Sequence, residues 1–355
     1  MDKNKKWCII FFSEFLILLL FIILATGIID PFFHYHKPLS SLEYPINNQR
    51  YQNDGIIKHF NYNTLITGTS MTENFMTSEV DEVFQTKSIK VPFSGASFKE
   101  INQNLEKATY NNDEIKYIIR GIDFGQLMHD KDDMEYDLSS YPTYLYNSNL
   151  IDDTKYLLNK DVLFNNTIEV LLYTLSGKKT TTFDQYSNWN DFYIFGKESL
   201  DKKYKRTKNK KDNESLTKRE KQIVIENVNQ NLLQIIKENK DIQFYYFYTP
   251  YSIYYWDKIN NEGNLLKQIE AEKITTETLL EFDNVYIFSF WNNIEMISNL
   301  NNYKDIIHYS SSINSNILHW MKDKEYLLTK NNYIEYYNEI ENIYYNYDYD
   351  SLFED

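Results

Sequence analysis

The sequence predicts an α/β protein: a parallel five-stranded sheet covered by helices, behind an N-terminal transmembrane helix. Three observations predict it. Short apolar runs alternate with helical-period segments between residues 61 and 330. The runs are apolar throughout rather than alternating, the pattern of strands buried on both faces of a parallel sheet. One long, almost wholly apolar stretch lies near the start of the chain.

That stretch, residues 7–29, is long enough to cross a bilayer as a helix. Lys3, Lys5 and Lys6 precede it and no comparable basic cluster follows closely. The positive-inside bias therefore assigns residues 1–6 to the cytoplasm as a short tail and the remaining chain to the outside. Ala25-Thr26-Gly27 is a poor cleavage site, so the stretch is expected to be retained as an anchor in the cell membrane. Glu14 interrupts it, and a carboxylate there needs protonation, a partner or a route to the surface.

Residues 30–60 read as an irregular connector. A first strand spans 62–67 and ends at Gly68; 77–85 has helical spacing; a second strand at 88–92 ends in Phe93-Ser94-Gly95. Residues 98–110 are helical, with Ile101, Leu105 and Ala108 on one face. Strands follow at 117–122, 242–248 and 285–290. Helices at 216–239 and 265–282 precede the last two strands, and a final helix is expected at 311–328. Residues 125–215 break the alternation and read as a lid-like insert within a 61–330 domain. Residues 331–355 read as an acidic tail rich in Tyr and Asn. The insert closes on Lys202, Lys203, Lys205, Arg206, Lys208, Lys210 and Lys211, read as a solvated loop in preference to a contact with anionic polymer or lipid.

Composition narrows the function. A formal charge of −14 argues against nucleic-acid binding. The single cysteine, Cys8, excludes internal disulfides and has no apolar region before it, unlike a lipoprotein cysteine. Tyr (32) and Phe (22) are abundant while Gly (9) and Pro (6) are scarce, a bias typical of AT-rich coding and thus no argument for a sugar platform. His34-x-His36 lacks the carboxylates or cysteines that would make a metal site, and no cofactor is expected.

Ligand sites of parallel sheets lie outside the carboxyl ends of the strands. Ser70, Gly95, Asp123, Tyr251 and the loop before His308 all fall at that edge. A serine hydroxyl is a weak nucleophile until a base takes its proton and a third group orients that base. Asp305-Ile306-Ile307-His308 supplies base and orienter within one turn of chain. Arg120, in an otherwise apolar strand, requires a partner, and Asp123 or Glu73 is the expected one.

Gly68-Thr69-Ser70-Met71-Thr72, Phe93-Ser94-Gly95-Ala96-Ser97 and Asp305-x-x-His308 stand in the order of the SGNH/GDSL hydrolase superfamily. The chain most resembles its membrane-anchored cell-envelope branch, which includes proteins similar to the D-alanyl transfer protein of teichoic acid synthesis and the alginate O-acetylation proteins. The resemblance covers residues 60–125 and 240–325. It implies a flavodoxin-like three-layer sandwich with Ser70 as nucleophile, His308 as base and Asp305 as orienter. The oxyanion donors would be Ser70 and Gly95. The superfamily's asparagine falls in Gly121-Ile122-Asp123, where this chain has Asp123, and an ionised aspartate cannot donate. Asn74 is the candidate replacement; Asp123 and Tyr251 are candidates for the site wall. The implied activity is serine esterase or O-acyltransferase chemistry through an acyl-serine, on acyl groups (acetyl expected) of a cell-envelope polysaccharide or teichoic-acid-like acceptor. A polytopic membrane O-acyltransferase is the implied partner. The alternative is a catalytically inactive protein of the same fold that binds glycan or that partner.

Overall fold

The computed structural model describes residues 3–135, 141–147, 149–207 and 210–353. Lys208 of the basic run lies outside them, as do the first two residues of the cytoplasmic tail and the last two of the acidic tail. The chain forms two compact units: residues 1–60 with 136–182, and residues 61–135 with 183–355. The stretch expected to form one lid is thus shared between them.

The larger unit is α/β. Its strands are β1 (Thr64–Thr67), β2 (Ser88–Lys90), β3 (Tyr117–Ile122), β4 (Gln243–Tyr248), β5 (Val285–Ser289) and β6 (Leu327–Leu328), in the order β2-β1-β3-β4-β5-β6. The first five are mutually parallel, while β6 runs antiparallel to β5 through Ile287↔Leu328 and Phe288↔Leu327. The sheet is therefore mixed and six-stranded, not the purely parallel five-stranded sheet expected. The last long helix of the periodic pattern, Ser311–Asp323, stops where Lys324 turns into the left-handed region at φ 59°, and the chain doubles back to form β6.

Branched and aromatic residues dominate β3, β4 and β5, and most are buried on both faces. Alternation along β4 divides the core. Tyr245 and Phe247 meet Phe84 and Phe75, on the side of helix Thr77–Phe84, which packs with Ser311–Asp323. Tyr248 turns the other way, its hydroxyl 2.8 Å from Thr276 Oγ1 in helix Leu265–Leu279. Helix Phe98–Asn111 packs against the 229–238 segment, and Leu265–Leu279 against both Lys218–Val228 and Tyr333–Tyr345. Ser97 starts helix Phe98–Asn111 through a reciprocal capping box with Glu100. The expected acidic tail is part of this core: Tyr344 stacks on Trp256 with ring centroids 3.7 Å apart and donates its hydroxyl to Trp291 O.

Strand order reverses between β1 and β3, because one crossover leads outward to β2 and the next returns to the other side of β1. Such a reversal parts the loops at the carboxyl ends of the two strands and leaves a crevice. Ser70 stands at the end of one and Asp123 at the end of the other.

The smaller unit contains helix Lys3–Ile29, long and apolar enough to cross a membrane. Asp30, at φ 49°, ends it and accepts the backbone N–H groups of His34, Tyr35 and His36 together with the Tyr156 hydroxyl. The connector is not irregular throughout. It holds helix Gln49–His59, whose Gln52, Asn53, Asp54 and Gly55 are buried. A side chain at Gly55 would lie 2.3 Å from Phe32 O, so glycine permits the close approach. Phe32, Leu145, Tyr156 and Val162 form one hydrophobic cluster of the unit's core.

Candidate active site

Ser70 begins a 3-10 turn, Ser70–Thr72, directly after β1. The turn is held from several sides. Thr72 donates both N–H and Oγ1 to Thr69 O, and Asn314 of the last long helix donates its amide to Met71 O at 3.1 Å. The Thr72 methyl packs onto Gly68 and Gly121, neighbouring backbones that leave no room for a side chain: a Cβ at Gly68 would lie 2.7 Å from it and one at Gly121 3.1 Å.

Asp305 and His308 sit on a loop closed by an antiparallel bridge between Tyr303 and Tyr309. Lys304 N–H donates to His308 O at 3.0 Å, and Ser252, after β4, donates N–H and Oγ to Ile306 O. Asp305 accepts the backbone N–H groups of Ile307 and His308 through Oδ1, while both its oxygens lie 3.0 Å from His308 Nδ1. His308 Nε2 lies 2.8 Å from Ser70 Oγ. Serine, histidine and aspartate, from opposite ends of the unit's sequence, thus form one continuous hydrogen-bond chain. Burial pushes the Asp305 carboxyl up. Its hydrogen bond and electrostatic attraction to His308 and the two backbone N–H groups outweigh burial and hold it down to about 2. Asp305 is therefore ionised at neutral pH. The His308 and Asp305 side chains remain 19% and 18% exposed, open to a small reactant.

Three expected oxyanion donors are at hand. Gly95, at φ 67°, takes a left-handed turn closed by Ala96 N–H to Phe93 O, and Phe93 N–H to Gly68 O ties this loop beside the serine turn. Among the described residues, neither the Ser70 nor the Gly95 N–H donates to a protein partner. Asn74 is buried; its Oδ1 accepts Trp189 N–H at 3.1 Å and its amino group has no partner among the described residues. It is placed by this contact, just beyond the 3-10 turn that Ser70 begins.

Asp123 acts as an acceptor. Thr69 Oγ1 at 2.7 Å, Thr249 Oγ1 at 3.1 Å and Tyr251 Oη at 2.5 Å all donate to its carboxylate, tying together the ends of β1, β3 and β4. Burial raises its pKa, and the three hydroxyls offset only part of that. Asp123 and Tyr251 are both buried and bonded to each other, so they brace the site from behind instead of forming an open wall. The expected pairing of Asp123 or Glu73 with Arg120 is not formed. Residues 120 and 123 are three apart on a strand and face opposite sides of the sheet. Arg120 donates to Asn231 O and Phe98 O, with its guanidinium over the Phe98 ring.

Sequence reasoning missed Trp189. Its Nε1 donates to Ser70 O at 3.4 Å, and its ring stands edge-on to His308 at 5.6 Å. Lys304 Nζ lies 3.5 Å from the Trp189 ring centroid and 3.7 Å from that of Tyr193. A tryptophan amid the turn-forming Asn188 and Asn190 was the available signal. Part of the basic run is engaged within the protein: Lys203 reaches Asp305 at 3.7 Å, and Arg206 pairs with Asp257 and Asp350. His34 pairs with Asp153, and the His36 ring meets the carbonyls of Lys37 and Ile28. Among the described residues no cluster of His, Cys, Asp and Glu could hold a metal ion.

Lys90, fully buried on edge strand β2, was also missed. Its Nζ donates to Glu73 O and to Phe75 O, fixing the segment that follows the serine turn. Burial pushes this ammonium down to about 7, against the pull of Glu73 and Asp184. Unfolded, it titrates near 10.5. Between those values the unfolded chain binds the extra proton, so folding stability rises with pH across that window, by up to about 1.4 kcal/mol per pH unit. Thermal midpoints of the detergent-solubilised chain from pH 7 to 9.5 should show a rise that Lys90→Met flattens. An equal slope in the variant would assign the rise to other groups.

No protein-family model, curated protein or solved structure matches the chain. The functional reading rests on the site itself.

Proposed function

We propose that the protein is a membrane-anchored serine esterase or O-acyltransferase of the SGNH type, working on acyl groups, acetyl foremost, of a cell-envelope glycan. The Ser70–His308–Asp305 chain carries this reading. The 2-1-3-4-5 order of the first five strands, with helices on both faces, supports a flavodoxin-like, SGNH-type sandwich extended by β6.

In the proposed reaction Ser70 Oγ attacks the acyl carbonyl as its proton passes to His308 Nε2. Asp305 holds the proton on Nδ1, leaving the Nε2 lone pair for the serine. The N–H groups of Ser70 and Gly95 and the unpaired amino group of Asn74 are the donors for the oxyanion. The acyl–donor bond then breaks, the leaving group takes the proton from His308, and the acyl-serine passes to a sugar hydroxyl or to water. The lysines before the apolar stretch, in the first turns of helix Lys3–Ile29, support a cytoplasmic N-terminus and an outward-facing site. A polytopic O-acyltransferase that brings acyl groups across the bilayer is the proposed partner.

A second reading is favoured by one observation: Asp123, where the superfamily has a donor, only accepts. On that reading the protein binds glycan or the membrane partner without catalysis. The test is p-nitrophenyl acetate turnover by the detergent-solubilised chain, with and without a methyl glycoside as acceptor. Turnover above that of Ser70→Ala, with acetyl found on the glycoside, supports transfer. Turnover without acetyl-glycoside supports hydrolysis, and none above the variant supports the binding protein.

A further inference from the structure

The smaller unit holds a second apolar helix. Val162–Leu175 starts with a wide turn, Val162–Thr167, and continues as Ile168–Leu175. Val162, Thr167 and Val170 are buried. The opposite side is apolar too: Phe164, Ile168, Leu171, Leu172 and Leu175 recur at helical spacing as one stripe. It is uncovered, with Phe164 63%, Leu172 60% and Leu175 83% exposed. A helix apolar on both sides has one face for its own unit and one for another apolar medium.

Its location identifies the medium. Helix Lys3–Ile29 packs on the 162–167 turn and on Thr154–Leu157, and a Cβ at Gly27 would lie 3.5 Å from Leu157 Cδ2. The buried residues of the long helix, Thr26 and Ile29, are at its carboxyl end. Its apolar part, residues 7–29, is about 35 Å long against a hydrocarbon core of about 30 Å, so its last turn reaches the interfacial zone. The second helix is fastened at that level. The exposed Lys178 and Lys179 follow the stripe, with Lys178 Nζ 5.0 Å from the Tyr173 ring centroid. Basic residues flanking an apolar stripe are the mark of a helix lying in a bilayer surface.

We infer that Val162–Leu175 is an interfacial membrane helix, its Phe164–Ile168–Leu171–Leu172–Leu175 stripe sunk into the headgroup and acyl boundary of the bilayer that Lys3–Ile29 crosses. It is a second attachment, independent of the acyl-transfer reading but resting on the transmembrane span. Two attachments restrict rotation of the smaller unit about the membrane normal, which a single span leaves free.

The test uses the full chain in phosphatidylcholine–phosphatidylglycerol vesicles. In a Cys8→Ser background, Leu172→Cys and Leu175→Cys are labelled with bimane. Leu18→Cys serves as a buried-span control and Tyr110→Cys as a water-exposed reference. Shallow doxyl lipid should lower emission at 172 and 175 about twofold, and iodide should quench them about threefold less than at 110. Deep doxyl lipid should quench position 18. If 18 responds while 172 and 175 stay open to iodide, the stripe faces water and the proposal is wrong. Shielding from both quenchers means protein covers it, such as a second copy, and is equally fatal. No response at 18 removes the span, and the proposal with it.

Discussion

Ser70→Ala should abolish turnover of an activated acyl ester, and His308→Ala should lower kcat/KM by about a thousandfold or more, with thermal midpoints near that of the parent chain. A hydroxyl without its base is almost entirely protonated at neutral pH, and the 2.8 Å contact between Ser70 Oγ and His308 Nε2 is the path by which it loses the proton. Asp305→Asn should cost about 10²- to 10⁴-fold. The amide retains a side-chain contact with Nδ1 but can present its own N–H there, turning the proton onto Nε2 where the serine needs a lone pair. The three groups act as a unit, so the Ser70→Ala/His308→Ala double variant should be no slower than Ser70→Ala. Full additivity of the two losses would mean that the serine and histidine work separately. Steady-state kinetics on the purified, detergent-solubilised chain reads all four outcomes.

Gly68→Ala should destabilise the α/β unit by about 2–5 kcal/mol and lower activity beyond what the loss of folded protein explains. Two costs add. Gly68 sits at φ 148°, where a side chain is strained, and the new Cβ would lie 2.7 Å from the Thr72 methyl. Thr72 cannot swing away without giving up its Oγ1 bond to Thr69 O, which helps shape the turn that presents Ser70. Thr72→Ser removes the methyl and keeps the hydroxyl. The Gly68→Ala/Thr72→Ser pair should therefore recover the steric part of the loss and leave the backbone part. Thermal midpoints of the two single variants and the double variant decide it. No recovery would show that backbone strain alone accounts for the loss.

The parallel core was legible because β1, β3, β4 and β5 are buried on both faces, and a strand buried that way is apolar in sequence. Ser70, Asp305 and His308 were legible for a different reason: each lies in a short local motif at a strand's carboxyl end or just before a helix. Features that depend on distant contacts were not. β6 is two residues long and follows a left-handed lysine, so no period marks it. Helix Gln49–His59 buries Gln52, Asn53 and Asp54, which reads as loop chemistry. Trp189 reaches Ser70 across 119 positions of sequence, and only the folded chain brings them together. The Arg120–Asp123 pairing was excluded by information already present, since strand periodicity places residues three apart on opposite faces.

The central claim is that Ser70 is an activated nucleophile, and covalent capture tests it most directly. The full chain in detergent, treated with a fluorophosphonate and analysed by intact and peptide mass spectrometry, should gain one adduct, on the peptide that contains Ser70. The adduct should be absent from Ser70→Ala and form about a hundredfold or more slowly in His308→Ala. A folded chain that stays unmodified, or that labels equally in Ser70→Ala, would contradict the account.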